Sequence, residues 1–115
     1  MKKIEAIIRP EKLEDVKTAL EARGILTMTV TQVSGRGRQK GIALQWRAGE
    51  YRVEFLPKIK LEIVCSDDEC KTAVDIISKS ARTGKVGDGM IFVLPVDSAV
   101  RVRTSDISET LVKTK

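Results

Sequence analysis

No histidine occurs anywhere in the 115 residues. Its absence removes the commonest general base, the commonest activator of a nucleophile and the commonest metal ligand, so a binding function gains weight over catalysis. The two cysteines, Cys65 and Cys70, stand in a lone C-x4-C spacing. With no second pair, neither a structural zinc site nor a disulfide framework is indicated, and buried reduced thiols are expected. No apolar run approaches the ~20 residues that a spanning helix needs. The first apolar stretch is cut by Glu5 and Pro10, which does not suit a signal peptide. A soluble, cytoplasmic chain is expected. The Walker A spacing G-x-x-x-x-G-K-[ST] is met nowhere. Aromatics are scarce, and three of the four, Trp46, Tyr51 and Phe55, fall within ten residues of one another.

What is present is one domain's worth of chain, 1–115, with a net charge of +5 that would suit an anionic partner. "KIEAIIR" alternates Ile4, Ala6 and Ile8 against Lys3, Glu5 and Ile7, the period of a strand with one dry face. After Pro10, "EKLEDVKTALEARG" spaces Leu13, Val16 and Leu20 as a helix that Gly24 stops. "ILTMTVTQVSG" alternates Leu26, Met28 and Val30 against threonines, and "KIKLEIVC" alternates Ile59, Leu61, Ile63 and Cys65 against Lys60, Glu62 and Val64. These are a second and a third strand. "SDDECKTAVDIISKSA" pairs Ser66 with Glu69 at capping-box spacing and aligns Cys70, Val74, Ile77 and Ala81 on one helical stripe. "MIFVLPV" makes a fourth strand that Pro95 ends, and "AVRVRT" a possible short fifth.

The resulting order, βαββαβ, is the α+β ferredoxin-like sandwich, with two helices on one face of an antiparallel sheet. The other face would show Lys3, Glu5, Ile7, Thr27, Thr29, Thr31, Lys60, Glu62 and Val64. Solvation would explain such a mixture. The continuous apolarity of Met90 to Leu94 favours a sheet covered on both faces, hence a self-assembling protein.

Between the second and third strands neither period holds. So long a connection, about 36–57, is usually a functional loop or a disordered one, although "IALQWR" and "EYRVEF" could pair as a hairpin extension around Ala48 and Gly49. Either form projects Trp46, Arg47 and Tyr51, the chemistry of a partner-binding surface. Three cationic clusters remain: "SGRGRQKG" at 34–41, "RTGKVGDG" at 82–89, and Arg101 with Arg103, which the two-residue period puts on one face of the last strand. Glycine lets backbone N–H groups approach a phosphate, and Lys or Arg supplies countercharge. Taken alone, each glycine loop is more often a plain turn than a phosphate cradle.

In "VSGRGRQKG", in "TGKVGDGMIFV", and without gaps in "MKKIEAIIRPEKLEDVKTAL" and "FLPKIKLEIV", the chain resembles the PII signal-transduction family of nitrogen regulators from Met1 to about Thr104. The resemblance implies a homotrimer whose sheets face inward and whose intersubunit clefts bind ATP or ADP in competition. It implies that Gly35, Gly37 and Arg38 close one side of the cleft. Thr83, Gly84, Lys85, Val86, Gly87, Asp88 and Gly89 would serve the phosphates, Arg101 and Arg103 would reach them from the neighbouring chain, and Ile7, Thr29, Glu62 and Val64 would lie near the adenosine. It implies that 2-oxoglutarate joins Mg-ATP, with Gln39 on the magnesium, Lys58 on a ligand carboxylate, and Lys40 and Gly41 alongside. An ammonium transporter, or an enzyme or regulator of nitrogen metabolism, would dock on the long loop, and a membrane would be met only through that transporter.

The chain also departs from the family. Met90 stands where Lys or Arg is usual, so one phosphate contact is lost, unless residue 90 points into the core. "WRAGEY" keeps Tyr51, a candidate for modification, but places Gly49 where some branches carry a phosphorylated serine. The tail, about 105–115, matches nothing useful. The expected function is a non-enzymatic sensor whose ligands set the conformation of the loop. The alternative is a single-stranded RNA-binding module of the RRM type, which shares the βαββαβ order but whose stacking aromatics are absent here apart from Phe92. Nucleic acid is therefore not the expected partner, and an ATP-hydrolysing enzyme would lack a nameable base.

Overall fold

The structure, a computed structural model, describes residues 1–37, 42–46 and 49–105, and of 42–46 and 49–53 the backbone alone. Arg38, Gln39, Lys40, Gly41, Arg47 and the tail from 106 lie outside the described residues.

β1 (Lys2–Ile8) buries Ile4, Ala6 and Ile8 as its period requires. A turn of 3-10 helix over Pro10–Lys12 then leads into α1 (Leu13–Glu21), which buries Val16 and Leu20. The end of α1 is closed by two backbone bonds, Ile25 N–H to Leu20 O at 3.0 Å and Gly24 N–H to Glu21 O at 2.9 Å. Gly24 holds φ +78 between them, the left-handed residue such a cap needs. This cap explains one departure from the expected pattern. Ile25 is buried in the core as part of the cap, while Leu26 is 65% exposed. The second strand consequently begins only at β2 (Thr29–Gly35) and not at Ile25.

β3 (Ile42–Trp46) and β4 (Gly49–Val53) form a separate two-stranded antiparallel sheet, so the long connection contains the hairpin. Leu44 faces Tyr51 and Trp46 faces Gly49 in its register. β5 (Leu56–Cys65) follows, two residues longer at its start than the alternation from Lys58 suggests. α2 (Asp67–Ala81) starts on Ser66, whose Oγ accepts from Glu69 N–H at 3.3 Å, and buries Cys70, Ala73, Ile77 and Ala81. β6 (Gly89–Pro95) completes the main sheet, ordered β2-β5-β1-β6 with every neighbouring pair antiparallel. This is the ferredoxin-like sandwich. One core joins β1, β5, α1 and α2 through Ile4, Ile8, Val16, Leu20, Leu61, Ile63 and Ile77. Cys65 and Cys70 are buried free thiols within it. Among the described residues no helix is long and apolar enough to cross a membrane.

The proposed fifth strand is not formed. Val100 makes a single bridge, a turn follows, and Ser105 N–H closes on Arg101 O at 2.7 Å. With its carbonyl drawn into a turn, Arg101 does not share a strand face with Arg103.

The sheet face away from the helices carries a lattice of charge on β1 and β5. Lys3 Nζ lies 2.6 Å from Glu62 and 3.0 Å from Glu5, and Lys60 approaches Glu62 to 3.9 Å. The hydrogen bond to Glu62 holds the Lys3 ammonium above its ordinary pKa, and the same bond holds Glu62 below the usual carboxylate range. Next to it, Met90, Phe92 and Leu94 of β6 are exposed, opposite Ile7, Glu5 and Lys3.

Candidate functional site

At one end of this open face, three backbone passages converge on a cleft of about 460 Å³. The end of β2 supplies Gly35 and continues into Arg36 and Gly37; the start of β5 supplies Leu56 and Lys58; the chain entering β6 supplies Val86, Gly87, Gly89, Met90 and Phe92; Ile7 contributes from β1. The register explains the convergence. Gly35 pairs with Leu56 and Val33 with Lys58, while Ile7 sits between Lys60 and Met90.

The loop before β6 is organised around one carboxylate. Asp88 accepts from the N–H groups of Thr83 and Gly84, each at 2.9 Å, and from the Thr83 hydroxyl. Lys85 N–H in turn donates to Thr83 Oγ1 at 3.2 Å. From outside the loop, Arg9 donates Nε to Asp88 Oδ1 at 3.0 Å and Nη2 to Val86 O at 2.9 Å. The Thr83 hydroxyl first, then the Thr83 N–H, Arg9 and the Gly84 N–H hold the Asp88 carboxyl far below the usual carboxylate range. The carboxylate therefore stays charged and faces its own loop. The N–H groups of Val86 and Gly87 enter none of these bonds.

Across the cleft, Lys58 donates from Nζ to Gly87 O at 2.5 Å. Burial, followed by the neighbouring Arg9 charge, pulls the Lys58 pKa down. An ammonium so placed gains from an anion brought beside it. Gly89 is demanded by packing: its φ is +110, and a Cβ there would stand 1.7 Å from Ile7 O.

The residues singled out from the sequence fall into groups. Ile7, Gly35, Gly37, Lys58, Val86, Gly87 and Gly89 line the cleft together, and Thr83, Gly84, Lys85 and Asp88 belong to its loop. Thr29 and Glu62 face one another across β2 and β5, with Val64 further along. Lys58 and Val64 are about 20 Å apart along β5 at the usual strand rise, so this second group does not join the cleft of the same chain. Arg101 and Arg103 lie in the turn beyond β6. Trp46 and Tyr51 belong to the hairpin strands. Met90 is 60% exposed on the open face, so the core position that sequence alone allowed it is excluded.

Arg9, Arg36, Leu56 and Phe92 were not in the expected set and belong to the cleft or its support. For Arg9, the one available signal was a cation at the end of a strand, fixed by the following Pro10.

The class that the structure defines is a ferredoxin-like sandwich with a glycine-lined cleft between a hairpin-bearing connection and a carboxylate-centred loop. The sequence model of the family described as Nitrogen regulatory protein P-II matches residues 1–106. Nitrogen regulatory protein P-II 2 of Methanothermobacter thermautotrophicus is 58% identical over 106 residues, 92% of each chain. Nitrogen regulatory protein P-II of Cereibacter sphaeroides is 51% identical over 112 residues, 97% of this chain and 100% of that one. Its counterpart from Klebsiella oxytoca is 56% identical over 106 residues, 92% and 95%. The chain belongs to the P-II family of nitrogen regulatory, signal-transducing proteins.

Proposed function

We propose that this chain is the subunit of a cytoplasmic homotrimer that binds ATP or ADP between subunits, adds 2-oxoglutarate to the Mg-ATP form, and reports the outcome through the 36–57 connection. The recipient is an ammonium transporter or an enzyme or regulator of nitrogen metabolism. The protein acts by binding and not by catalysis. The observation that carries this reading is the cleft that brings Gly35, Gly37 and Lys58 against the 83–89 loop. One wall belongs to the ligand loop and the other continues into the hairpin, so a ligand that favours one state of this junction biases the hairpin.

The donor set suits a phosphate-bearing ligand. Gly37 and Gly87 bring bare backbone to the cleft and Lys58 supplies positive charge, with Arg38 and Lys85 as further candidates to serve the phosphates. Asp88 is turned onto Thr83, Gly84 and Arg9, so magnesium would be held by the Gln39 amide and by ligand oxygens, which suits a cation that keeps few protein ligands. The separation of Thr29, Glu62 and Val64 from the cleft favours a site completed across a subunit boundary. There these residues and Arg101 and Arg103 of one chain would meet the cleft of the next, and the exposed Met90, Phe92 and Leu94 would be covered. For 2-oxoglutarate, Lys58, which spends one of its three N–H donors on Gly87 O, would give another to the dicarboxylate, with Lys40 and Gly41 as further candidates.

Calorimetry with ATP, ADP, 2-oxoglutarate and a short single-stranded RNA tests the reading. Lys58→Ala is expected to weaken 2-oxoglutarate binding by about tenfold or more while ATP changes by about twofold or less, since loss of a hydrogen-bonded charge partner falls on the ligand it faces. Equal losses would make Lys58 a support of the fold, RNA binding without ATP binding would replace this reading with the RNA-binding one, and a monomer by light scattering at micromolar concentration would remove the trimer.

A further inference from the structure

A second cavity lies back to back with the cleft, on the helix side of the sheet. Gly89, Ile91 and Val93 stand opposite Ile8, Ala6 and Ile4, so they share the face that the helices cover. α2 packs over β1 and β5, and the edge strand β6 overhangs it, which leaves Val93 exposed. Where β6 begins, residue 89 contributes no side chain. The space left there, about 250 Å³, is walled by Ile8, Ile77, Ala81 and Ile91, with Ser78, Arg82 and Asp88 as its polar lining.

That lining leaves one charge and one helix end unanswered. Asp88 already accepts from Thr83, Gly84 and Arg9. Arg82, exposed where it leaves the end of α2, gives one bond, from Nη2 to Ser78 Oγ at 3.2 Å, and meets no carboxylate among the described residues. α2 also ends uncapped. One more helical turn would have brought the N–H groups of Thr83, Gly84 and Lys85 to the carbonyls of Lys79, Ser80 and Ala81. The first two turn instead to Asp88 and the third to Thr83 Oγ1, and no other described N–H donates to those carbonyls. The last turn of α2, which borders the cavity, therefore offers acceptors at the negative end of its dipole, directly beside a guanidinium without an acid.

We propose that this cavity binds a small apolar α-amino acid of the leucine type, with its ammonium on the closing carbonyls of α2, its carboxylate on Arg82 and its side chain among Ile8, Ile77, Ala81 and Ile91. A simple anion would be repelled by the carbonyls and Asp88, and a simple cation by Arg82. A zwitterion satisfies both, because its two charged groups are as close together as Arg82 is to the helix end. The site is coupled to the cleft, since Ile7, Gly89 and Met90 line both. An occupant that favours one placement of the start of β6 changes the affinity of the cleft, and a cleft ligand changes the affinity of the cavity by the same factor. The amino-acid site stands independently of the nucleotide reading; the coupling to ATP rests on it.

Titration of L-leucine into the full chain, followed by amide chemical shifts and calorimetry, tests the site. Shifts should centre on Ile77 to Arg82 and Gly89 to Ile91, with a Kd of about a millimolar, as suits so small a ligand. Isoamylamine, which lacks the carboxylate, and isocaproate, which lacks the ammonium, should each bind about fivefold or more weakly. Arg82→Gln, a change at an exposed position, should keep Tm and weaken leucine about fivefold while leaving isoamylamine unaffected. Absence of shifts at these residues, equal binding of the three compounds, or unaltered leucine affinity in Arg82→Gln would overturn the site. Saturating leucine should change ATP affinity by about threefold or more, and ATP should change leucine affinity equally; independent binding would overturn the coupling. If the unaltered chain binds no ATP, the nucleotide reading of the cleft fails, while the leucine titration still decides what the cavity does.

Discussion

Replacing Gly89 by alanine should be among the most damaging single changes on the sheet's surface, although it adds one methyl group. The new Cβ would lie 1.7 Å from Ile7 O and 2.8 Å from Ile7 C, both backbone atoms of the central strand that cannot rotate away. At φ +110 an L residue is also strained, which costs about 1–3 kcal/mol. Relieving the clash requires β6 to move off β1 at the Ile8–Gly89 pair, which adds overpacking strain and weakens ladder bonding by about 2 kcal/mol more. The sum, about 3–5 kcal/mol, is a large share of the ~5–15 kcal/mol of a typical domain. At about 4 °C per kcal/mol for a chain of this size, it lowers Tm by about 12–20 °C. Gly84→Ala supplies the comparison. Gly84 also has a left-handed φ, +86, but nothing lies within 4 Å of its Cβ position, so only the conformational cost of about 1–2 kcal/mol applies. Thermal melts followed by circular dichroism, at matched protein concentration because assembly raises Tm, compare the two. Equal shifts would refute the steric argument.

Met90→Lys should leave Tm within about 2 °C, since residue 90 is exposed, and strengthen ATP binding about fivefold to thirtyfold, the equivalent of one or two kcal/mol; unchanged affinity by calorimetry would detach Met90 from the site. Ser66→Ala removes the cap bond to Glu69 N–H and should cost about 1 kcal/mol, read as a Tm lower by about 4 °C. Because the Asp88 pKa is lowered on folding, the stability it contributes is fully present above the unfolded value near ~3.9 and is lost as pH falls from there toward the folded value. Thr83→Val removes the largest cause of that lowering, so the fall of Tm on acidification below about pH 4 should be shallower than in the unaltered protein, and an identical acid limb would contradict it.

Strands β1 and β5 and helix α2 were legible because each has one face in the core, and burial of Ile4, Ala6, Ile8, Ile59, Leu61 and Ile63 follows the written alternation residue by residue. The alternation misled where a second use competed for the same residues. Ile25 closes the end of α1, and the Val-Arg-Val-Arg run enters a turn after a single bridge, leaving Val102 96% exposed. The sequence also singled out many of the residues that line the cleft, Gly35, Gly37, Lys58, Val86, Gly87 and Gly89 among them. Their internal bonding was not legible. That Asp88 faces its own loop, that Gly89 is required by Ile7 O, and that Arg9 anchors the loop all depend on contacts across the fold. Arg9 and Asp88 lie 79 positions apart, and no local pattern connects them.

The placement of β1 between β5 and β6 has a consequence for how the molecule is made. Of this sheet's four strands, the first to be synthesised is a central one, and its edges stay unpaired until residues from Leu56 onward, and then from Gly89 onward, have been made. Pairing across such separations is slow relative to helix formation, and an exposed central strand is a hazard for a nascent chain. The cleft is later still, because Val86, Gly87, Gly89, Met90 and Phe92 form one of its walls. The cleft is thus complete only once β6 has been made, and a chain cut short before Gly89 would carry β3 and β4 without that wall of it.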